Sequence, residues 1–235
     1  MRNSTLDVKL QLFRLLKDVP FPRLRTKFRR KYYGRLRAYS AIDIEEVFAK
    51  LPAKPTIVDL GANQECFLPT NLMQKAGEIH AVEPDPLVFE KLRANLAVYD
   101  NVFLYNAAVG ADDGLASFYR QAGFDSQNPV INSLGSSVFS RHEAVNPARA
   151  IVVPQMGILT LLEKIGKRVD LMKMDIEGAE VPVLEALLES PHAANVSVIL
   201  VETHEHVLPD LVDRTDALRQ RVKRLDRPKI DMSWH

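Results

Sequence analysis

Two groups of residues have the types and spacing to do chemistry. In the first, the apolar run Ile57-Val58-Asp59-Leu60 breaks at Gly61-Ala62-Asn63, and 20 residues after Asn63 a second run, Ile79-His80-Ala81-Val82, ends in Glu83. In an open parallel sheet, ligands sit outside the carboxyl ends of the strands. There a glycine turn admits close approach, and an acidic residue about 20 positions on accepts ribose hydroxyls. A dinucleotide would also require Gly-x-Gly-x-x-Gly, because its pyrophosphate lies against bare backbone at a helix start. From Gly61 that register falls on Asn63 and Cys66, which disfavours a dinucleotide. A phosphate-free nucleoside such as S-adenosylmethionine needs only the turn, the carboxylate and room for an amino-acid tail. The plainer alternative is an ordinary Asp-Leu-Gly turn of an α/β protein.

The second group follows two further apolar runs. Val169-Asp170-Leu171-Met172-Lys173-Met174 delivers Asp175, then Ile176-Glu177-Gly178-Ala179-Glu180; Val198-Ile199-Leu200-Val201 delivers Glu202, Thr203 and His204. If both runs are neighbouring strands, Asp175, Glu202 and His204 converge at one sheet edge.

The elements that position these groups alternate from residue 56 onward. Strands are expected near 56–60, 79–83, 102–105, 151–153, 169–174 and 197–202, and helices near 68–76, 86–98, 157–165, 179–189 and 210–224. That order is the pattern of a doubly wound, mostly parallel sheet. Residues 111–150, rich in Gly, Ser, Asn and Asp, read as a lid or substrate loop. The tail from Pro228 to His235 supplies one more strand, and a complete seven-stranded sheet is not secured.

With 235 residues, the chain suits one α/β domain over 51–235 behind an extension over 1–50. A single cysteine, Cys66, excludes an internal disulfide or a Cys-rich zinc site and reads as a buried small residue. No run of 18 apolar residues occurs and Met1-Arg2-Asn3-Ser4 lacks a signal-peptide core, so a cytoplasmic location is expected. The formal charge of +1 is uneven: residues 1–50 hold 13 Lys and Arg against 5 Asp and Glu, or +8, leaving 18 against 25, or −7. Leu6, Leu10, Phe13 and Leu16 predict an amphipathic helix over 5–18 that packs on its own sheet or on a neighbouring copy, so an oligomer is possible. Residues 23–37 place eight cations among Phe28, Tyr32 and Tyr33, a composition suited to a polyanion or an anionic membrane surface, or to a solvated helix face.

Five segments in order, Val58-Asp59-Leu60-Gly61-Ala62-Asn63, Ala81-Val82-Glu83-Pro84, Asn106-Ala107-Ala108-Val109-Gly110, Lys173 to Glu180 and Val201-Glu202-Thr203-His204, resemble the successive motifs of FkbM-type methyltransferases. The resemblance spans about residues 55–205. It implies a Rossmann-like class I methyltransferase fold behind an N-terminal helical extension, and transfer of a methyl group from S-adenosylmethionine to a hydroxyl of a glycan, glycolipid or secondary metabolite. The alternatives are a noncatalytic binding subunit of the same fold and a nucleic-acid methyltransferase. The family's first motif usually continues Gly-Ala-Asn-x-Gly. Here Gln64-Glu65 follows, so Glu65 is expected either to meet the methionine carboxylate or to turn outward.

The resemblance implies roles for the matching positions. Asp59, Gly61, Ala62 and Asn63 form the first cofactor turn, with Asp59 orienting that turn or the cofactor ammonium, or capping a helix. Glu83 and Pro84 face the ribose, Asn106 and Ala107 flank the adenine, and Asp175 borders both cofactor and acceptor. Methyl transfer needs mainly positioning and exclusion of water, and a hydroxyl benefits from a base. His204 or Asp175 fills that role beside Glu202. The same three side chains suit a divalent cation, although no metal site is assigned. Lys173, on an interior strand, is expected to pair with an acid at a strand end. Glu177 and Glu180 complement a helix dipole, with Glu180 structural; Gly178 serves the turn, and His206 is expected to face solvent.

Overall fold

A computed structural model of the chain describes residues 42–129, 133–142 and 144–234. The helix expected over 5–18 and the basic segment 23–37 lie outside the described residues. Chain order gives α1 (Ile44–Lys50), β1 (Thr56–Leu60), α2 (Thr70–Lys75), β2 (Glu78–Val82), α3 (Pro86–Leu96), β3 (Val102–Tyr105), β4 (Ala108–Gly110), β5 (Gly114–Gln121), β6 (Val145–Gly157), α4 (Ile158–Ile165), β7 (Val169–Met174), α5 (Glu180–Glu189), β8 (Val196–Val201), α6 (Val212–Val222) and β9 (Lys229–Asp231). The main sheet has six strands in the order β3-β2-β1-β7-β8-β9, all parallel. The tail does add its one strand, β9, beside β8.

Strands β1 and β7 read as near-continuous apolar runs because helices cover both faces of a parallel sheet. Val58, Leu60, Met172, Met174, Ile199 and Val201 pack on one side with α4, α5 and α6. Ile57, Ile79, Ala81, Leu171 and Leu200 pack on the other with α2 and α3. Local chemistry sets the helix ends. The Asp85 carboxylate accepts from the Leu87 N–H and Pro86 occupies the first turn of α3, while Gly166 ends α4 in the left-handed region.

The register is what builds the site. Leu60 pairs with Val82 and Met174, Val82 with Tyr105, and Met174 with Val201. Gly61, Glu83, Asn106, Asp175 and Glu202 therefore leave the sheet at one level. Single hydrogen bonds extend the ladder past that row: the N–H groups of Gly61, Glu83, Asp175 and Glu202 donate to the carbonyls of Val82, Tyr105, Leu60 and Met174.

The stretch 111–150 differs from the expected loop. β5 and β6 form a long antiparallel hairpin with a shift between Tyr119 and Gln121, and β4 joins β6 to complete a second, three-stranded sheet. The apolar signal was weak because this hairpin is half exposed, with Leu115 and Val152 in solvent. Between its strands the described residues form turns and one antiparallel bridge, Tyr119 with Ser137. Among the described residues, no helix is long and apolar enough to cross a membrane.

Candidate active site

A cavity of about 410 Å³ opens at the carboxyl ends of β1, β2 and β7. Gly61, Ala62 and Asn63 line it, as do Glu83, Pro84, Ala107 and Asp175, so seven of the residues expected at the cofactor meet there. Asp59, Asn106, Glu202 and His204 are not in its lining.

Asp59 is fully buried. It faces Lys173 across the β1–β7 register, with Oδ1 3.3 Å from Nζ, and its Oδ2 accepts from the Phe67 N–H. It supports the turn from beneath. Lys173 also donates to the Gly61 carbonyl at 2.6 Å and lies 3.5 Å from Asp175 Oδ2. Burial works against that ammonium, yet Asp59 and Asp175 hold its pKa above the usual lysine value. Gly61 has φ +79°, and a Cβ there would overlap the Asp175 carbonyl oxygen. Its glycine is demanded by the β7 loop as well as by any ligand. Asn106 donates its amide to the Glu83 and Pro84 carbonyls, which ties the β2 turn and keeps its side chain out of the cavity lining.

Glu83 stands in the cavity wall with each oxygen anchored: Oε1 accepts from Asp85 N–H at 2.9 Å and Oε2 from Asn63 N–H at 3.0 Å. Burial raises its carboxyl to about 8, against the lowering of those two donors. Asp85 is held in turn by Arg120 of β5, through Nε at 2.6 Å and Nη2 at 3.0 Å. Glu65, by contrast, is exposed on the cavity rim.

The β7–β8 side is a charge cluster. His204 is buried, with Nδ1 3.1 Å from Glu180 Oε1 and Nε2 3.2 Å from Glu177 Oε2 and 3.8 Å from Asp175 Oδ1. Burial opposes its charge, but Glu180, Glu177 and Asp175 raise it to about 10. Its three carboxylate neighbours favour the charged imidazole, which works against the expected role as a base. Burial and Asp175 raise Glu202 to about 7, and burial also raises Asp175 despite Lys173 and His204. His206 is half buried and stacks on His204 with ring centroids 5.7 Å apart, which corrects the expected solvent position. Cys66 is buried beside Asp59, which pushes its thiol far up and leaves it inert.

Sequence reasoning missed Glu177 as a site residue. It occupies a left-handed backbone position, φ +52°, and lines the cavity. Its Oε1 accepts from Gly135 N–H, its Oε2 meets His142 Nε2 at 3.1 Å, and its carbonyl accepts from Ser137. Burial alone would raise its carboxyl; His142 and His204 hold it below the usual value. Gly178, at φ +110°, completes the turn, while Glu180 caps Gly178 N–H and the His204 backbone N–H. Also missed were Ser133, which bonds Asn63 across the cavity mouth, and Trp234, whose ring faces Phe67 and Lys173. These contacts span the chain and leave no local signal.

An open α/β sheet with a cavity and converging carboxylates at its strand ends defines the class of enzymes that bind their ligand at that edge. Residues 59–226 match the Methyltransferase FkbM domain, and the chain belongs to that methyltransferase family. It is 28% identical over 221 residues to Methyltransferase sdnD of Sordaria araneosa, covering 78% of this chain and 82% of that protein.

Proposed function

We propose that this methyltransferase uses S-adenosylmethionine and methylates a hydroxyl of a neutral glycan, glycolipid headgroup or secondary metabolite. The observation that carries the reading is Glu83, a buried carboxyl with one backbone donor on each oxygen and a face on the cavity. That arrangement leaves acceptor sites on both oxygens for a ribose diol. Val88, Ala107 and Phe118 give the same cavity an apolar wall for a purine. When bound, the cofactor supplies a methyl group on a sulfonium, which needs little acid catalysis.

The lining holds Glu65, Glu83, Asp85, Asp175 and Glu177 against Lys173. Even with Glu83 protonated before ligand arrives, the carboxylates outnumber the one cation of the lining, a balance that suits a sulfonium and an ammonium and disfavours a phosphate-rich acceptor. It favours a neutral hydroxyl over a nucleic acid. Asp175, raised and bordering the cavity, is the carboxylate against which that hydroxyl is oriented.

Calorimetry with S-adenosylmethionine and S-adenosylhomocysteine, with NAD as the negative control, tests the reading. Micromolar binding of the first two is expected, weakened about 10- to 100-fold in Glu83→Gln, since hydrogen bonds to a charged group are worth about 1.5–3 kcal/mol. Because the diol prefers the ionised carboxylate, binding at pH 7 should release close to one proton, seen as a dependence on the buffer's ionisation heat. No binding by folded protein, or equal binding by the variant, would overturn it.

A further inference from the structure

We infer that Asp175, Glu177 and His204 form a binding site for one divalent first-row transition ion at the acceptor edge of the cavity. One ligand atom from each of the three side chains lies within 4.8 Å of the other two, and His204 Nε2 is 3.2 Å from Glu177 Oε2 and 3.8 Å from Asp175 Oδ1. Bonds of about 2.0–2.2 Å to a shared ion put neighbouring ligands about 3.0–3.6 Å apart at angles of 90–120°; the His204–Glu177 spacing already lies in that range, and Asp175 must close toward the pair. Two carboxylate oxygens and one imidazole form a mixed set that suits manganese, iron or zinc better than magnesium.

The surroundings are those of a built site. Nδ1 of His204 faces the buried Glu180 carboxylate at 3.1 Å, the partner that orients a ligating imidazole and fixes which nitrogen is free. His142 accepts from the Ala144 N–H at Nδ1, which leaves Nε2 to donate to Glu177 Oε2 and hold that ligand from behind. Glu177 keeps a left-handed backbone conformation that a glycine would adopt with less strain, which marks its side chain as the reason for the residue. Asp175 and Glu177 both line the cavity, so the open coordination positions face the acceptor. Asp175, Glu177 and Glu180 lie around one imidazole, and Lys173 is shared between Asp59 and Asp175, so a divalent ion would find a surplus of negative charge there. Bound there, the ion would lower the pKa of a hydroxyl that reaches it. That role rests on the methyl-transfer reading, whereas binding itself does not.

The test titrates Mn(II) into the chelator-treated full chain and follows the loss of the free-ion electron paramagnetic resonance signal. One ion per chain is expected, weakened at least tenfold in Glu177→Gln and in His204→Asn, and unchanged in Glu90→Gln on the α3 surface. If His204→Asn does not fold, as judged by circular dichroism, Glu177→Gln decides. Absence of binding up to millimolar Mn(II), or equal binding by Glu177→Gln, would overturn the site. Cofactor calorimetry repeated in chelator separates the two proposals, because each can then fail while the other stands.

Discussion

At the β2 end of the strand row Glu83 and Asp85 are held by donors of their own, whereas at the β7–β8 end three acidic groups converge on one imidazole. Glu83 is held by two backbone N–H groups and Asp85 by Arg120, so either can be altered with local effect. Around His204, Glu177 and Glu180 are both in contact and Asp175 lies just beyond. Removing one member there leaves the others buried and unbalanced. The first arrangement suits recognition of a fixed ligand; the second holds a charge balance that a proton or cation can change.

The largest expected effect falls on the joint between the two regions. Gly61→Ala would force a Cβ into the Asp175 carbonyl at a positive φ, so both loops must move. The variant should lose cofactor binding and unfold at markedly lower denaturant concentration, or fail to fold. Near-wild-type chemical denaturation would show that the β1 and β7 loops are not locked together.

Next is the dependence of stability on pH, which treats the two ends differently. The His204 pKa rises from 6.5 to about 10 on folding, so its contribution is full below pH 6.5 and is lost as pH climbs through 10. Glu83 rises from 4.5 to about 8; folding is favoured by its neutral form below pH 4.5, and that advantage disappears as pH climbs through 8. Difference curves against wild type should therefore show His204→Ala losing about 3–5 kcal/mol below pH 6.5, narrowing toward pH 10. Glu83→Gln should become relatively more stable across pH 4.5–8. Parallel curves for the two variants would erase the distinction between the regions.

Much of this was legible in the sequence, for reasons tied to burial. β1, β3 and β7 fall where the apolar runs predict them, because strands covered on both faces or ended by a turn leave an uninterrupted local signal. Glu83 was legible because its distance from Gly61 is set by one helix and one strand. Glu177 was not: its acidic side chain before a helix looks like an ordinary dipole complement, and only the left-handed turn aims it at the cavity. Glu202 stands out in the sequence because it follows a strand directly, and the register puts it on the same level. The hairpin β5–β6 escaped since Asn146-Pro147-Ala148-Arg149 interrupts its alternation while cross-strand pairing, invisible locally, sustains it.

The smallest expected effect concerns Glu65, the position that departs from the family's usual first motif. Its side chain is exposed on the cavity rim, where water and salt screen a charge to a fraction of its buried strength. Replacing it with the usual glycine removes a negative charge but also loosens the turn, two effects that oppose each other for a cofactor carrying both an ammonium and a carboxylate. Glu65→Gly should change the dissociation constant for S-adenosylhomocysteine less than about threefold, roughly the 0.6 kcal/mol of an exposed ion pair. The difference should shrink further as salt is raised. A gain above tenfold would mean that Glu65 turns inward when ligand binds, and the cofactor end of the strand row would then contain a conflict of the kind found around His204.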